Sequence, residues 1–475
     1  MEDFAATTAV PGVAVAASQD GRLVYERGFG WADRERQAPI DGETLFGIGS
    51  ITKSVTAVAI LQLAEQGRLR LDAPASAYLP ELSEFLAPQG PGLTLHHFLT
   101  HTTGLPPLPL LTSAMAGSMA LDPTAQDQLA HLADLGLPPA DDRATYLDLL
   151  RRLPFPWLGP PGRWFSYSND AYGLLGAVIE RVSGTRYEDY VQRHILGPAG
   201  MSRTLFDAKR LSSLDNVATL YARTARSDGS EDPSLPVPSP IWREAPALVA
   251  AGFLKSTVRD LLRYLTLFAD GGVVGGARLL EPASVRTMTH GHVAVRPGYD
   301  YGYGLGVTPY RGLTVIGHSG GLKGISAYVA LVPERRWAVA VLMNLAEVAA
   351  SRVGAALINC WLGLDPDAPL TAIPPTTPPD DLSPYLGRYY SGEDREDIEI
   401  RARDGALVLH TADAEQILRA AGPEVFVAGS GNEVTWVQPR RRDGRVFAVM
   451  VQTRTLPRRC LWDEVGYPVL RPAGV

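Results

Sequence analysis

The sequence predicts an α/β protein: an antiparallel five-stranded sheet flanked by helices, a mostly helical subdomain, and a small all-β barrel after them. Three observations lead there. Strand-like alternation appears near the N-terminus and again near residue 340, helical periodicity fills the interval, and a proline-dense stretch precedes a second run of alternating strands.

The first two strands read as a hairpin, with "GVAVAAS" and "RLVYERGFGWA" joined by the turn signal "QDG". Far downstream, "GLTVIGH", "ISAYVALVP" and "RWAVAVLMNL" supply three more, separated by "SGGLKG" and the charged turn "ERR", and the amphipathic helix "AEVAASRVGAALINCWLG" follows. Between them, "TKSVTAVAILQLAEQG" aligns Val55, Val58, Leu61 or Ala59, and Leu63, with Gly67 at its end. "NDAYGLLGAVIERVSG" has the same grammar: Asn169 or Asp170 caps, Leu174, Leu175, Val178, Ile179 and Val182 form the stripe, and Gly184 stops it. Residues 106–161 are rich in proline and leucine, hold one clear short helix at "DDRATYLDLLRRL", and are expected to form a lid or one wall of a cleft.

These readings divide the chain into residues 1–364, with the helical subdomain at about 70–300, an extended linker at 365–384, "DPDAPLTAIPPTTPPDDLSP", and the barrel at 385–475. In the barrel, "DIEIRARDGALVLH" and "EVTWVQPRRRDGRVFAVMVQT" turn at the Asp-Gly pairs 404–405 and 443–444.

A chain of 475 residues with 45% hydrophobic residues can bury a full core. Its net charge of −7 gives no basic field for phosphate backbones or anionic membranes, so neither nucleic acid nor membrane is expected as a partner. No run of eighteen apolar residues occurs, and "MEDFAATTAVPG" has no basic region followed by an apolar stretch, so the expected location is cytoplasmic; a trimmed leader would leave the same start. The two cysteines, Cys360 and Cys460, lie in differently patterned regions and are expected to be buried thiols.

Three places carry chemistry. Of 44 basic residues only Lys53, Lys209, Lys255 and Lys323 are lysine, so chance gives roughly 0.2 Ser-x-x-Lys matches in this chain. In "GIGSITKS", a helix starting near Ser50 would put Lys53 on the same face, within reach of the serine hydroxyl. Kept neutral by desolvation, the amine could take the hydroxyl proton; the alternative is an N-cap serine beside a solvent-facing lysine. In "FSYSND", Tyr167 and Asn169 would point the same way from an extended segment, or would pack and cap a helix entrance. In "GHSGGLKG", a strand ending at His318 runs into Gly320, Gly321 and Gly324, which would let backbone approach a ligand or form a flexible hairpin.

Taken together, the chain resembles the serine β-lactamase and penicillin-binding-protein superfamily, most closely the class C-like branch with D-aminopeptidases, esterases and CubicO-type peptidases. Ser50-Ile51-Thr52-Lys53 matches its Ser-x-x-Lys motif, Tyr167-Ser168-Asn169 its Tyr-x-Asn motif, and His318-Ser319-Gly320 the place usually written Lys-Thr-Gly. "LTHTTGLP" at 99–106 and "PGRWFSYSN" at 161–169 match further, as does "GPAGM" at 197–201 with a slight departure from the family's Pro-Leu-Gly-Met, over roughly residues 5–362. The resemblance implies a β-lactamase/transpeptidase-like fold and an acyl-enzyme on Ser50. Lys53 and Tyr167 would share general-base and general-acid duties, Asn169 would hold Lys53 or the substrate amide, and the backbone N–H groups of Ser50 and Gly321 would form the oxyanion hole, with Ser319 and Gly320 lining the substrate strand.

His318 departs from the family's lysine. A largely uncharged imidazole weakens the case for a substrate carboxylate beside the scissile bond and favours D-aminopeptidase-like, endopeptidase-like or esterase activity, with an acid limb where the imidazole titrates. A weak β-lactamase and a non-catalytic penicillin-binding scaffold are the rival readings. No cofactor is expected. His97 and His101, four apart, and His290 and His292, flanking a glycine, have no acidic third ligand nearby, so no metal is expected either, and "LTHTTGL" is assigned a structural role at the cleft's edge. The tail resembles the lipocalin-like domain of some CubicO-type peptidases, where it can support homo-oligomer assembly or restrict the cleft; a passive appendage is the alternative. The expected substrate is a small peptide or ester.

Overall fold

The computed structural model describes residues 4, 7–90, 92–223, 236–346, 348–371, 373, 376–393, 396–412, 414–430 and 433–467. The main sheet holds nine strands: Gly12–Gln19 (β1), Arg22–Asp33 (β2), Ala38–Pro39 (β3), Val293–Arg296 (β4), Tyr299–Tyr301 (β5), Gly306–Tyr310 (β6), Leu313–Leu322 (β7), Ile325–Val332 (β8) and Trp337–Met343 (β9). They pair antiparallel in the order β4-β5-β6-β7-β8-β9-β1-β2-β3. The five expected strands are its contiguous middle, but the expected size is corrected. The four additions have two to five residues each, too short to show a period.

Both faces of the sheet are covered, which explains why "GVAVAAS" is apolar at almost every position. Val13, Val15, Val339 and Val341 pack on one side against Val353 and Ile358 of the helix Ala350–Trp361. Ala14, Ala16, Ala340 and Leu342 face the other side, toward the helix Val258–Ala269, in the core that also holds the helices Thr52–Glu65 (α1) and Asn169–Ser183 (α2). Residues 52–63 of α1 are all buried. Its polar groups bond locally: Thr52 Oγ1 donates to Gly49 O at 2.7 Å and Ser54 Oγ to Ile51 O at 2.8 Å.

Several local readings change. Ser168, not Asn169 or Asp170, caps α2, accepting from Ala171 N at 3.1 Å. Strand β7 does not end at His318 but continues through Gly320 and Gly321 to Leu322, because β8 supplies ladder partners for every residue there. Residues 106–161 hold three helices, Leu110–Met119, Gln126–Asp134 and Arg143–Arg152, not one. Cys360 and Cys460 are exposed, not buried; Cys360 falls on the outer side of a helix whose buried stripe runs through Val353, Ala355 and Ile358. No helix among the described residues is long and apolar enough to cross a membrane.

Eight antiparallel strands, from Gly387–Ser391 to Arg454–Pro457, pair in chain order into a nearly closed barrel, with Tyr389 and Arg458 bridging its ends. Its Asp404–Gly405 and Asp443–Gly444 turns have positive φ at both residues, as two-residue hairpin turns of this hand require. The barrel packs against the first part of the chain. Met450 is wholly buried among Phe165, Tyr167, Val295 and Tyr301, and Arg442 Nη2 donates to the carbonyls of Trp157 and Leu158 at 3.0 Å.

Candidate active site

Ser50 sits in a single 3₁₀ turn, Gly49–Ile51, just ahead of α1, and its hydroxyl caps neither element. Two glycines bring β7 against this turn. A Cβ on Gly49, whose φ is +50°, would lie 2.6 Å from Gly321 N, and one on Gly320 would lie 1.9 Å from Ile48 O. Backbone therefore meets backbone at the point where Ser50 and Gly321 face the cleft.

Lys53 is fully buried. Its Nζ is 3.1 Å from Ser50 Oγ, 2.8 Å from Asn169 Oδ1 and 2.6 Å from Ala251 O. Burial, and then the Arg454 guanidinium, hold this amine well below the usual lysine range, with Glu393 and Asp170 opposing. The solvent-facing alternative is excluded by that geometry. Tyr167 lies across the site, its ring 4.7 Å from Lys53 Nζ; burial pushes its phenol above the ordinary value, with the neighbouring Ser50 hydroxyl and Arg454 pulling the other way.

His318 lines the same cavity but is wired away from Ser50. Its Nδ1 is 2.5 Å from Ser319 O and its Nε2 3.0 Å from the Tyr301 hydroxyl, so Nδ1 carries the proton and Tyr301 donates to Nε2. Burial, then the nearby Lys53, move the imidazole down to about 4. Ser319 and Gly321 line the cavity as well.

His101 is not at the cleft's edge. It is fully buried with φ +56°, its ring stacked 4.2 Å from that of Tyr167, and Ser168 N donates to its Nδ1 at 3.0 Å. His96, His97, His290 and His292 pack edge to face, with His292 stacked 4.4 Å from Tyr303. Among the described residues, no three His, Cys, Asp or Glu side chains are placed to hold a metal.

Sequence reading missed the barrel's contribution. Asn169 Nδ2 donates to Glu393 Oε1 at 2.5 Å, and Arg454 Nε pairs with Glu393 Oε2 at 2.6 Å. The Arg454 guanidinium lies 4.5 Å from the Tyr167 ring centre, and Tyr167 N donates to Thr453 O at 2.8 Å. The Asn169 oxygen is thus held by Lys53 and one of its N–H bonds by Glu393. Neither Glu393 nor Arg454 stands at a spacing that signals chemistry, so no local pattern could have found them.

Depressed imidazoles have a stability consequence. His96 and His318 are both held at about 4, chiefly by burial, so the unfolded chain takes up protons first as pH falls. Their contribution is complete above about pH 6.5 and is lost on the way down to about 4; His318 alone accounts for about 3 kcal/mol. Urea midpoints at pH 7, 5 and 4 should fall in that order, and less steeply in His318→Gln; a flat profile would contradict the buried imidazole.

A nucleophile-like serine, a desolvated lysine one helical step away and a glycine-lined strand beside them, on a helix-flanked antiparallel sheet, are the arrangement of the serine β-lactamase and penicillin-binding-protein superfamily. Residues 1–358 match the family model described as Beta-lactamase, and the chain belongs to that family. It is 26% identical to penicillin-binding protein 4 of Amycolatopsis lactamdurans over 343 residues, 70% of this chain and 81% of that one. It is 38% identical to esterase EstB of Burkholderia gladioli over 192 residues, 40% of this chain and 45% of the esterase. The octameric penicillin-binding protein homologue from Pyrococcus abyssi superposes with a TM-score of 0.64 at 27% identity, covering 96% of this chain and 97% of its own, the barrel included.

Proposed function

We propose that the protein is a serine hydrolase working through an acyl-enzyme on Ser50, with peptides containing D-amino acids as substrates in the manner of a D-aminopeptidase. The observation that carries this reading is the hydrogen-bond arrangement of Lys53. A neutral amine has two N–H bonds and one lone pair. Asn169 Oδ1 and Ala251 O accept the two N–H bonds, so the lone pair faces the Ser50 hydroxyl, which donates to it. Lys53 then takes the proton as Ser50 attacks a carbonyl. The resulting ammonium passes a proton by way of the neutral Tyr167 phenol to the leaving group, and water attacking the acyl-enzyme reverses the sequence. The Ser50 and Gly321 N–H groups receive the oxyanion.

One observation supports an aminopeptidase-like substrate: neutral His318 leaves the strand without the permanent cation that would hold a carboxylate beside the scissile bond. The similarity to EstB supports carboxylesterase activity as the second reading. The octameric relative, which spans the barrel, supports self-assembly of this chain. D- and L-aminoacyl anilides, a nitrophenyl ester and a fluorescent penicillin test the assignment together. Turnover that vanishes in Ser50→Ala, with D-anilides favoured over L, is the expected result. Turnover surviving Ser50→Ala removes the mechanism, and stable labelling of Ser50 without turnover makes the protein a binder.

A further inference from the structure

The cavity beside Ser50 has a volume of about 500 Å³, within the range of small-ligand sites, and extends past His318 to a wall shared by the sheet and the barrel. Arg296, at the end of β4, forms part of that wall. Its guanidinium carbon lies 4.7 Å from the ring centre of Tyr299 and 5.4 Å from that of Trp436, the latter from the barrel. Its Nε is buried without a hydrogen-bond partner, and no acid or carbonyl among the described residues pairs with the group. Arg454 lines the same cavity but is compensated by Glu393. No carboxylate among the described residues lines the cavity.

A guanidinium partly withdrawn from water with its Nε buried and unpaired is unfavourable in the empty protein, and aromatic faces offset only part of that cost, while its two terminal nitrogens stay open to a ligand. Its planar fork matches a carboxylate through two parallel N–H bonds. We propose that Arg296 sets substrate specificity by binding an anionic end group, so that the preferred substrates are short peptides whose arm runs from Ser50 over His318 and ends in a free carboxylate. The proposal rests on the serine-hydrolase reading of the cleft. It also places the cation that His318 does not provide farther along the same cavity, where it selects for the length of the arm.

Binding tests this without turnover. Full-length Ser50→Ala protein is titrated calorimetrically with D-alanine oligomers of two, three and four residues, each as free acid and as C-terminal amide. At one length the acid should bind at least about tenfold more tightly than its amide, the lower end of what a charged bidentate pair contributes. Adding Arg296→Met should abolish the difference, and Arg296→Lys should keep part of it. An acid preference that survives Arg296→Met, or none at any length with Arg296 intact, overturns the proposal. Should Arg296→Met fail to fold, a preference unchanged in Arg296→Lys counts against it, and a reduced one supports it. Failure of the acyl-enzyme reading shows separately, as loss of Ser50-dependent nitrophenyl acetate hydrolysis in protein with Arg296 intact.

Discussion

Replacing Lys53 with methionine should lower kcat/KM for ester and anilide hydrolysis by about 10³-fold or more, about 4 kcal/mol of transition-state stabilisation, while the protein stays folded. The substitution removes the lone pair that faces Ser50 Oγ at 3.1 Å. It also relieves a fully buried amine but leaves Asn169 Oδ1 and Ala251 O without their donor, so the two effects on stability oppose and the net change should stay within about 2 kcal/mol. Lys53→Arg should not rescue activity, because a guanidinium stays protonated. The same logic extends to Arg454→Gln. Arg454 is the second cause, after burial, of the depressed amine, and its loss leaves Glu393 uncompensated, so Lys53 should titrate higher and the acid limb of the pH–rate profile should move to higher pH. Active-site titration and pH–rate profiles of the three variants measure all of this; near-normal turnover by Lys53→Met would end the lysine-base mechanism.

Gly320→Ala should be the most damaging small substitution in the cleft. The added methyl would sit 1.9 Å from Ile48 O, a backbone atom that cannot swing aside, so β7 must withdraw from the turn that carries Ser50. A displaced Gly321 N–H forfeits one oxyanion donor, which costs about 10² to 10³ in kcat, with overpacking removing a further 1–3 kcal/mol or so of stability. Gly321→Ala is the control. A methyl there meets nothing within 4 Å and projects into the cavity, so thermal stability should hold while the largest substrates lose affinity. Equal melting temperatures for the two variants would contradict the backbone contact.

The contrast between these neighbours shows what a linear pattern can and cannot disclose. Ser50 with Lys53, Tyr167 with Asn169, and His318 with Gly321 are legible because each set lies within a few residues of chain, where local backbone geometry fixes relative position. Glu393 is not, because its contact with Asn169 spans 224 residues and is made by a loop after a barrel strand. Arg454 and Arg296 carry no local mark that separates them from the other arginines; the first acquires meaning from Glu393 and Tyr167, the second from Trp436. The edge strands of the main sheet escaped for a different reason. Elements such as Tyr299–Tyr301 are held by their neighbours' ladders, not by any propensity of three residues.

Strand β1 finds its place only when β9 arrives, and Thr455 Oγ1 donates to Phe165 O across 290 residues of chain. Loop closure on that scale comes late in folding. On the ribosome, the segment around Tyr167 can be held by His101 through Ser166 N and Ser168 N, but the bond from Tyr167 N to Thr453 O must wait for residues 453–455 to emerge. A chain that stops before the barrel therefore presents Ser50 and Lys53 without Glu393 and Arg454 beside them.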